Sequence, residues 1–133
     1  MEYEKIIEFP VFGYNIYAVY TEDIQTSRDK RANLIGALDE VLLPTVDGMH
    51  SYNKLNTEGW IFFTPFSSTG TIAHECFHAL WQMFEYFGAN LENEIVAYHL
   101  GYLLDIILDF KMKVDYLIAN PEPIKKTKKK LTT

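Results

Sequence analysis

Residues 74–78 read His-Glu-Cys-Phe-His, an H-E-x-x-H motif, inside a mostly apolar stretch (residues 71–87) that we expect to be helical. Residues four apart lie on the same face of a helix, so His74 and His78 can direct their imidazoles at one cation. Glu75 lies about 100° round the helix from His74, where its carboxylate can approach a water molecule without being a ligand. Imidazole suits zinc, and a catalytic zinc takes three protein ligands. The spacing therefore predicts a zinc site.

The third ligand is expected on a following helix. Gly88 is a natural residue to follow the first helix, and Asn90 is a natural N-cap for a second helix over about residues 91–118. A short turn makes two helices antiparallel neighbours, so an acid near the start of the second can face the histidines of the first. Glu94 is the candidate, whereas Glu92 lies about 200° away on the helix and is not expected to face the metal.

A purely structural interpretation of the motif stays open. An amphipathic helix could place both histidines in hydrogen bonds within the core. Glu75 argues against this, because unpaired carboxylates are rarely left inside a core. Cys76, the single cysteine, is expected to be a small buried hydrophobic residue rather than a nucleophile.

The H-E-x-x-H helix followed by N-E-x-x-A at residues 93–97 resembles the gluzincin branch of the zincin metallopeptidases. The resemblance covers about residues 60–104 and extends to single-domain minigluzincins and to small metallopeptidase-like proteins of bacteriophages. A more distant resemblance is to metalloproteases that cleave mobile-element repressors. The gluzincin resemblance implies that His74, His78 and Glu94 bind Zn²⁺ and that Glu75 is the general base.

One position departs from the gluzincin pattern. Many gluzincins continue N-E-x-x-S-D, with the Asp supporting a ligand histidine, and here that position is Tyr98. Either another group orients the imidazole or the site is tuned differently. Tyr98 and Tyr102 are candidates for a role in transition-state stabilisation or in supporting a ligand, and His99 and His50 are the other donors considered.

Composition and charge indicate one domain, residues 1–120, followed by a flexible basic tail, residues 121–133. Five of the last nine residues are lysines, while the whole chain carries a net charge of −6. Nucleic acid is not an expected partner, because the tail lacks Arg and aromatic residues and the body is acidic. No signal-peptide pattern or membrane span is expected, and one cysteine fits a reducing cytoplasm. The oligomeric state stays open.

The remaining pattern predicts an α+β fold of the zincin type. We expect one or two strands in residues 6–21, with the better one at 14–20, and a helix over 21–38 capped by Thr21. A hairpin of residues 49–54 with 59–64 completes a small mixed sheet with helices on one side. The active-site helix is expected at about residues 68–87.

The function expected is that of a zinc metallopeptidase, which hydrolyses peptide bonds through a zinc-activated water. An extended peptide or protein substrate could add as a strand to residues 60–64 if they form a sheet edge. Two alternatives stay open. One is a zinc-binding but inactive regulatory or host-interaction module, and the other is a structural protein that binds no metal.

Overall fold

The computed structural model describes residues 1–35, 47–53, 57–87 and 93–121, with the backbone only at positions 87, 93 and 94. Within these residues the elements follow the chain in this order: β1 (Glu2–Phe9), β2 (Tyr14–Thr21), α1 (Ile24–Asp29), α2 (Ala32–Ile35), β3 (Gly48–Tyr52), β4 (Glu58–Phe63), α3 (Thr69–Phe87) and α4 (Asn93–Ala119). No helix in the described residues is long and apolar enough to cross a membrane.

The four strands form one mixed sheet in the order β1-β2-β4-β3. β2 and β4 are parallel, whereas β1 with β2 and β3 with β4 are antiparallel. The α+β class and the predicted β3–β4 hairpin are therefore confirmed. The expectation that residues 60–64 form a sheet edge is wrong, because β4 is paired on both sides, and the edge next to it is β3.

Of the one or two strands expected in the first part of the chain, two are present, and β1 begins earlier than expected, at Glu2. The turn between them is closed by backbone hydrogen bonds from Phe12 to Phe9 and from Gly13 to Pro10. Gly13 has a φ of 60°, a left-handed conformation that favours glycine. This turn lets β1 pair with β2 along its whole length.

One face of the sheet packs against α3 and α4. The core between them is built from alternate residues of the strands and from one side of each helix: Ile7, Tyr14, Ile16, Ala18, Ile61, Phe63, Ile72, Cys76, Leu80, Met83, Leu103 and Ile107. The prediction for Cys76 is confirmed, since it is fully buried and burial raises the pKa of its thiol to about 12. α3 is thereby held firmly against the sheet.

The opposite face of the sheet is also covered, which corrects the expectation of helices on one side only. Ile24 of α1 and Ile35 of α2 pack there against Val19, Trp60 and Phe62. The central strands β2 and β4 carry buried apolar side chains on both faces, so both faces must be removed from water.

The single helix predicted over residues 21–38 is wrong in its start and its length. Asp23, not Thr21, is the N-cap of α1, and its carboxylate accepts a hydrogen bond from the backbone N–H of Thr26 at 3.1 Å. Within the described residues the helical turns form two short helices, with α1 ending at Asp29 and α2 at Ile35. Residues 36–38 lie outside the described residues.

Candidate metal centre

The motif helix α3 begins where the sequence predicts it. Ser68 Oγ accepts a hydrogen bond from the backbone N–H of Thr71 at 3.1 Å, which satisfies one of the unpaired donors of the first turn. The buried side of α3 carries Ile72, Cys76 and Leu80, so His74 and His78 emerge on the opposite, exposed side. Burial of one helix face thus fixes the direction of the two histidines.

The two motif histidines converge. Nε2 of His74 and Nε2 of His78 lie 3.1 Å apart, with their rings at 76° to one another. Two nitrogens bound to one tetrahedral zinc at 2.0–2.1 Å would be separated by about 3.3–3.4 Å. The observed separation is close to that value, so the pair fits two ligands of a single zinc ion with little rearrangement.

Glu75 lies beside the histidines at the rim of a cleft of about 590 Å³. The cleft is lined by residues of the β3 start, the loop before α3 and the first turns of α3: Asp47, Gly48, Ser68, Gly70, Thr71, His74 and Glu75. Burial raises the pKa of the Glu75 carboxyl above its usual value, against the opposing effect of His74 and His78. The carboxylate therefore faces a solvent-connected space next to the imidazole pair.

The loop that precedes α3 is tied to the start of β3. Ser67 Oγ donates a hydrogen bond to the backbone carbonyl of Asp47 and accepts one from the backbone N–H of Thr64 at 2.8 Å. Ser67 is buried, so these bonds are shielded from water. They place the sheet edge directly over the first turns of α3.

A third histidine, His50 of β3, lies next to this pair. Its ring is nearly parallel to that of His78, at 8°, with ring centroids 6.4 Å apart. Its buried Nε2 atom has no hydrogen-bond partner among the described residues, and burial, with a smaller effect of His78, lowers the pKa of His50 to about 4. Sequence reasoning considered His50 only as a possible donor, and the signal that could have placed it is strand alternation, which puts it opposite Ile61 on the α3 face.

The residues predicted on the second helix are placed differently. α4 begins at Asn93, so position 94 lies in its first turn, but the side chain of Glu94 lies outside the described residues and its ligand role stays a prediction. Tyr98, with 76% of its surface exposed, and Tyr102 line a separate apolar cleft of about 370 Å³ beside the β1–β2 turn. None of the three motif residues 74, 75 and 78 lines that cleft.

His99 also belongs to that region and not to the motif. Its ring packs against Phe9, Phe12 and Phe84, and its Nδ1 lies 2.8 Å from the carbonyl of Ile95. Among the side chains that the structure describes, no group of three or more His, Cys, Asp or Glu comes together in a form that could hold a metal ion. Of the residues predicted to form a metal site, the described side chains that lie together are His74, His78 and Glu75.

Comparison of the chain with protein-family models, with curated proteins and with solved structures finds no match in any of the three.

Proposed function

We propose that this protein is a zinc-dependent metallopeptidase of the zincin type. The observation that carries the proposal is the 3.1 Å separation of the His74 and His78 Nε2 atoms, with Glu75 on the same helix beside them. Neutral imidazole nitrogens are common zinc ligands, and a catalytic zinc site combines three protein ligands with an open position. The exposed position of the pair leaves room for that open position.

The donor set fits zinc better than calcium or magnesium, which prefer oxygen ligands. His74 and His78 supply two nitrogens, and Glu94 is proposed as the third ligand, on the resemblance of residues 93–97 to the second gluzincin motif. A zinc ion held by these residues would supply a Lewis acid that polarises a carbonyl and lowers the pKa of a water molecule.

The proposed chemistry of the chain itself rests on Glu75. Its carboxylate lines the cleft next to His74 and can accept a proton from an attacking water molecule. The same group can then deliver that proton to the nitrogen of the departing amine as the peptide bond breaks. Glu75 therefore acts first as a base and then as an acid, and its carboxylate is restored at the end.

The sheet edge gives a place for the peptide. β3 pairs with β4 on one side, and in the described residues no strand pairs with its other side. The unpaired N–H and C=O groups of such an edge can bind an extended peptide by strand addition. β3 starts above Glu75 and carries His50 next to His78, so a peptide added there lies along the imidazole pair.

Two measurements test the proposal. Protein purified without a metal-affinity resin should contain about one zinc per chain, and His74→Ala should lose it. Glu75→Gln should keep the fold and the zinc but lose about 10²–10⁴-fold in rate on any peptide that the parent cleaves. Zinc that His74→Ala does not remove would refute the site. If a Glu75→Gln protein with full zinc occupancy cleaved peptides as fast as the parent, zinc binding would stand but Glu75 would not be the general base.

A further inference from the structure

Two aromatic side chains stand on the exposed side of α3 next to the motif histidines. Phe77 is 40% exposed and Trp81 is 43% exposed, and their ring centroids lie 5.7 Å apart. Exposed aromatic side chains that lie together form an apolar surface that a ligand can contact. We define these two residues as the aromatic ridge.

A hydrogen bond orients the indole of the aromatic ridge. The indole Nε1 of Trp81 donates a hydrogen bond to the Glu85 carboxylate at 2.7 Å, and the Phe77 ring contacts the indole at an interplanar angle of 40°. An oriented indole loses less conformational entropy on contact with a ligand than a freely rotating one. The ridge is therefore suited to bind an apolar group.

Helix geometry places the ridge directly beside the imidazole pair. Residues three and four apart on a helix are neighbours, about 5–6 Å between Cβ atoms. Phe77 is three residues from His74, and Trp81 is three residues from His78, so the ridge and the pair form two adjacent rows. The β3 edge contacts α3 at Thr71 and Glu75, on the other side of the pair.

The position of the ridge indicates its occupant. A peptide whose carbonyl carbon lies at the imidazole pair can rest its backbone on the β3 side and extend a neighbouring side chain across the pair. That side chain then contacts Phe77 and Trp81. Tyr86, which is 44% exposed on the same helix, lies about 140° round the helix from Trp81 and cannot be reached in this way.

We infer that the aromatic ridge of Phe77 and Trp81 is the specificity-determining surface of the site and selects peptides with a bulky apolar side chain next to the scissile bond. The inference rests on the proposed function, because the imidazole pair must be the reacting centre for the ridge to lie next to the bond. It names a substrate class that the motif itself does not specify.

The test uses two hydroxamates that differ only in the apolar group. Phenylalanine hydroxamate and alanine hydroxamate share the oxygen pair that chelates zinc, and only the first has a benzyl group. The zinc-loaded protein should bind the phenylalanine compound about tenfold more tightly by calorimetry, as expected for partial burial of one aromatic ring. Phe77→Ala and Trp81→Ala should reduce this ratio to about one to three.

Controls separate the ridge from general effects on the fold. Tyr86→Ala removes an equally exposed aromatic ring from α3 and should leave the ratio unchanged, with zinc content and circular dichroism measured for every variant. Equal binding of the two hydroxamates to the parent would overturn this inference alone. Failure of both to bind zinc-loaded protein would overturn the proposed function together with it, so the two failures are distinguishable.

Fluorescence gives a second measurement that does not depend on catalysis. Trp60 is 3% exposed and stacks on Tyr17, whereas Trp81 is exposed, so Trp60→Phe leaves the ridge tryptophan as the single reporter. Its emission should shift to shorter wavelength with phenylalanine hydroxamate and stay unchanged with alanine hydroxamate. The oligomeric state in solution tests whether a second copy of the chain already covers the ridge. A dimer that the Trp81→Ala substitution dissociates would overturn the inference.

Discussion

Gly48 of β3 lies close against Glu75 of α3, and a side chain at Gly48 would press on Glu75 and collide with its neighbour Thr71. A Cβ on Gly48 would lie 3.2 Å from Cγ of Glu75 and 2.5 Å from Cγ2 of Thr71. The absence of a side chain at this position lets the sheet edge approach the motif helix and brings its backbone next to the proposed base. The closeness of edge and base thus depends on a glycine outside the H-E-x-x-H motif.

Gly48→Ala should therefore destabilise the protein. The added methyl group meets Thr71 and forces β3 away from α3, and overpacking of this kind costs about 1–3 kcal/mol. The free energy of unfolding in urea measures the effect. Gly101→Ala is the matched control, because no atom lies within 4 Å of its added Cβ and Ala in a helix interior is favoured by about 0.5–1 kcal/mol. A stable Gly48→Ala protein would show that the edge can shift freely.

A second variant tests whether the contact with Thr71 is the cause. Thr71→Ser removes Cγ2, the atom at 2.5 Å, and keeps the hydroxyl that lies 3.1 Å from Ser68 Oγ. Gly48→Ala should cost less in the Thr71→Ser background than in the parent, by about 0.5 kcal/mol or more in a double-mutant cycle. Additive effects of the two substitutions would point to Glu75 as the main obstacle.

The choice of Glu94 over Glu92 is tested by zinc affinity. Glu92 lies outside the described residues, but on the helix that the sequence predicts from about residue 91 the two positions are about 200° apart, so only one can face the imidazole pair. Glu94→Ala should weaken zinc binding strongly, while Glu92→Ala should leave it near the parent value, as measured by competition with a chromophoric chelator. The reverse result would mean that the helix register assumed from the sequence is wrong.

The parts of the fold that follow from local sequence were predictable. The expected motif helix differs from α3 by one residue at its start, because an apolar face repeating with helical period and a capping serine define it locally. The β3–β4 hairpin follows similarly from two short strand patterns near one another. Both involve residues close in sequence, where propensity and pattern act directly.

The features that depend on distant residues were not predictable in this way. The sequence of β4 does not reveal that it pairs with β2, which lies more than thirty residues earlier. Without that pairing, β4 would be an edge strand. The approach of His50 to His78 likewise results from sheet order, which brings β3 over α3. The layer formed by α1 and α2 covers central strands whose two faces are both buried. The sequence of such a strand is a continuous apolar run, which by itself also fits a buried helix.

Acid should weaken the contact between α4 and β2. Asp115 accepts hydrogen bonds from the Tyr20 hydroxyl and from Lys111 Nζ at 2.8 Å, and these outweigh burial, so the pKa of Asp115 lies below 3.8 in the folded protein. At low pH the folded state then binds fewer protons than the unfolded state. The contribution of the Asp115 carboxylate to the free energy of unfolding is therefore present above pH 3.8 and is lost as pH falls below it.

Asp115→Asn removes that titration and provides the measurement. The variant should be less stable than the parent near pH 7 by up to about 1 kcal/mol, a small value because the side chain is partly exposed, and the difference should shrink below pH 3.8. Asp109→Asn, which breaks the exposed pair with Lys113, is the control and should change stability by less than about 0.5 kcal/mol. A constant difference between the Asp115 variant and the parent at all pH values would contradict the assignment.

Zinc should stabilise the folded protein through the imidazole pair. A ligand that binds only the folded state adds about 4 kcal/mol to the free energy of unfolding at a thousand times its Kd, so metal removal by a chelator should lower Tm and added zinc should restore it. His74→Ala and His78→Ala should abolish this zinc-dependent shift. His99→Phe, which keeps the ring packed against Phe9 and Phe84, should retain it. If His99→Phe lost the shift and the motif variants kept it, the metal would bind at the cleft beside the β1–β2 turn instead.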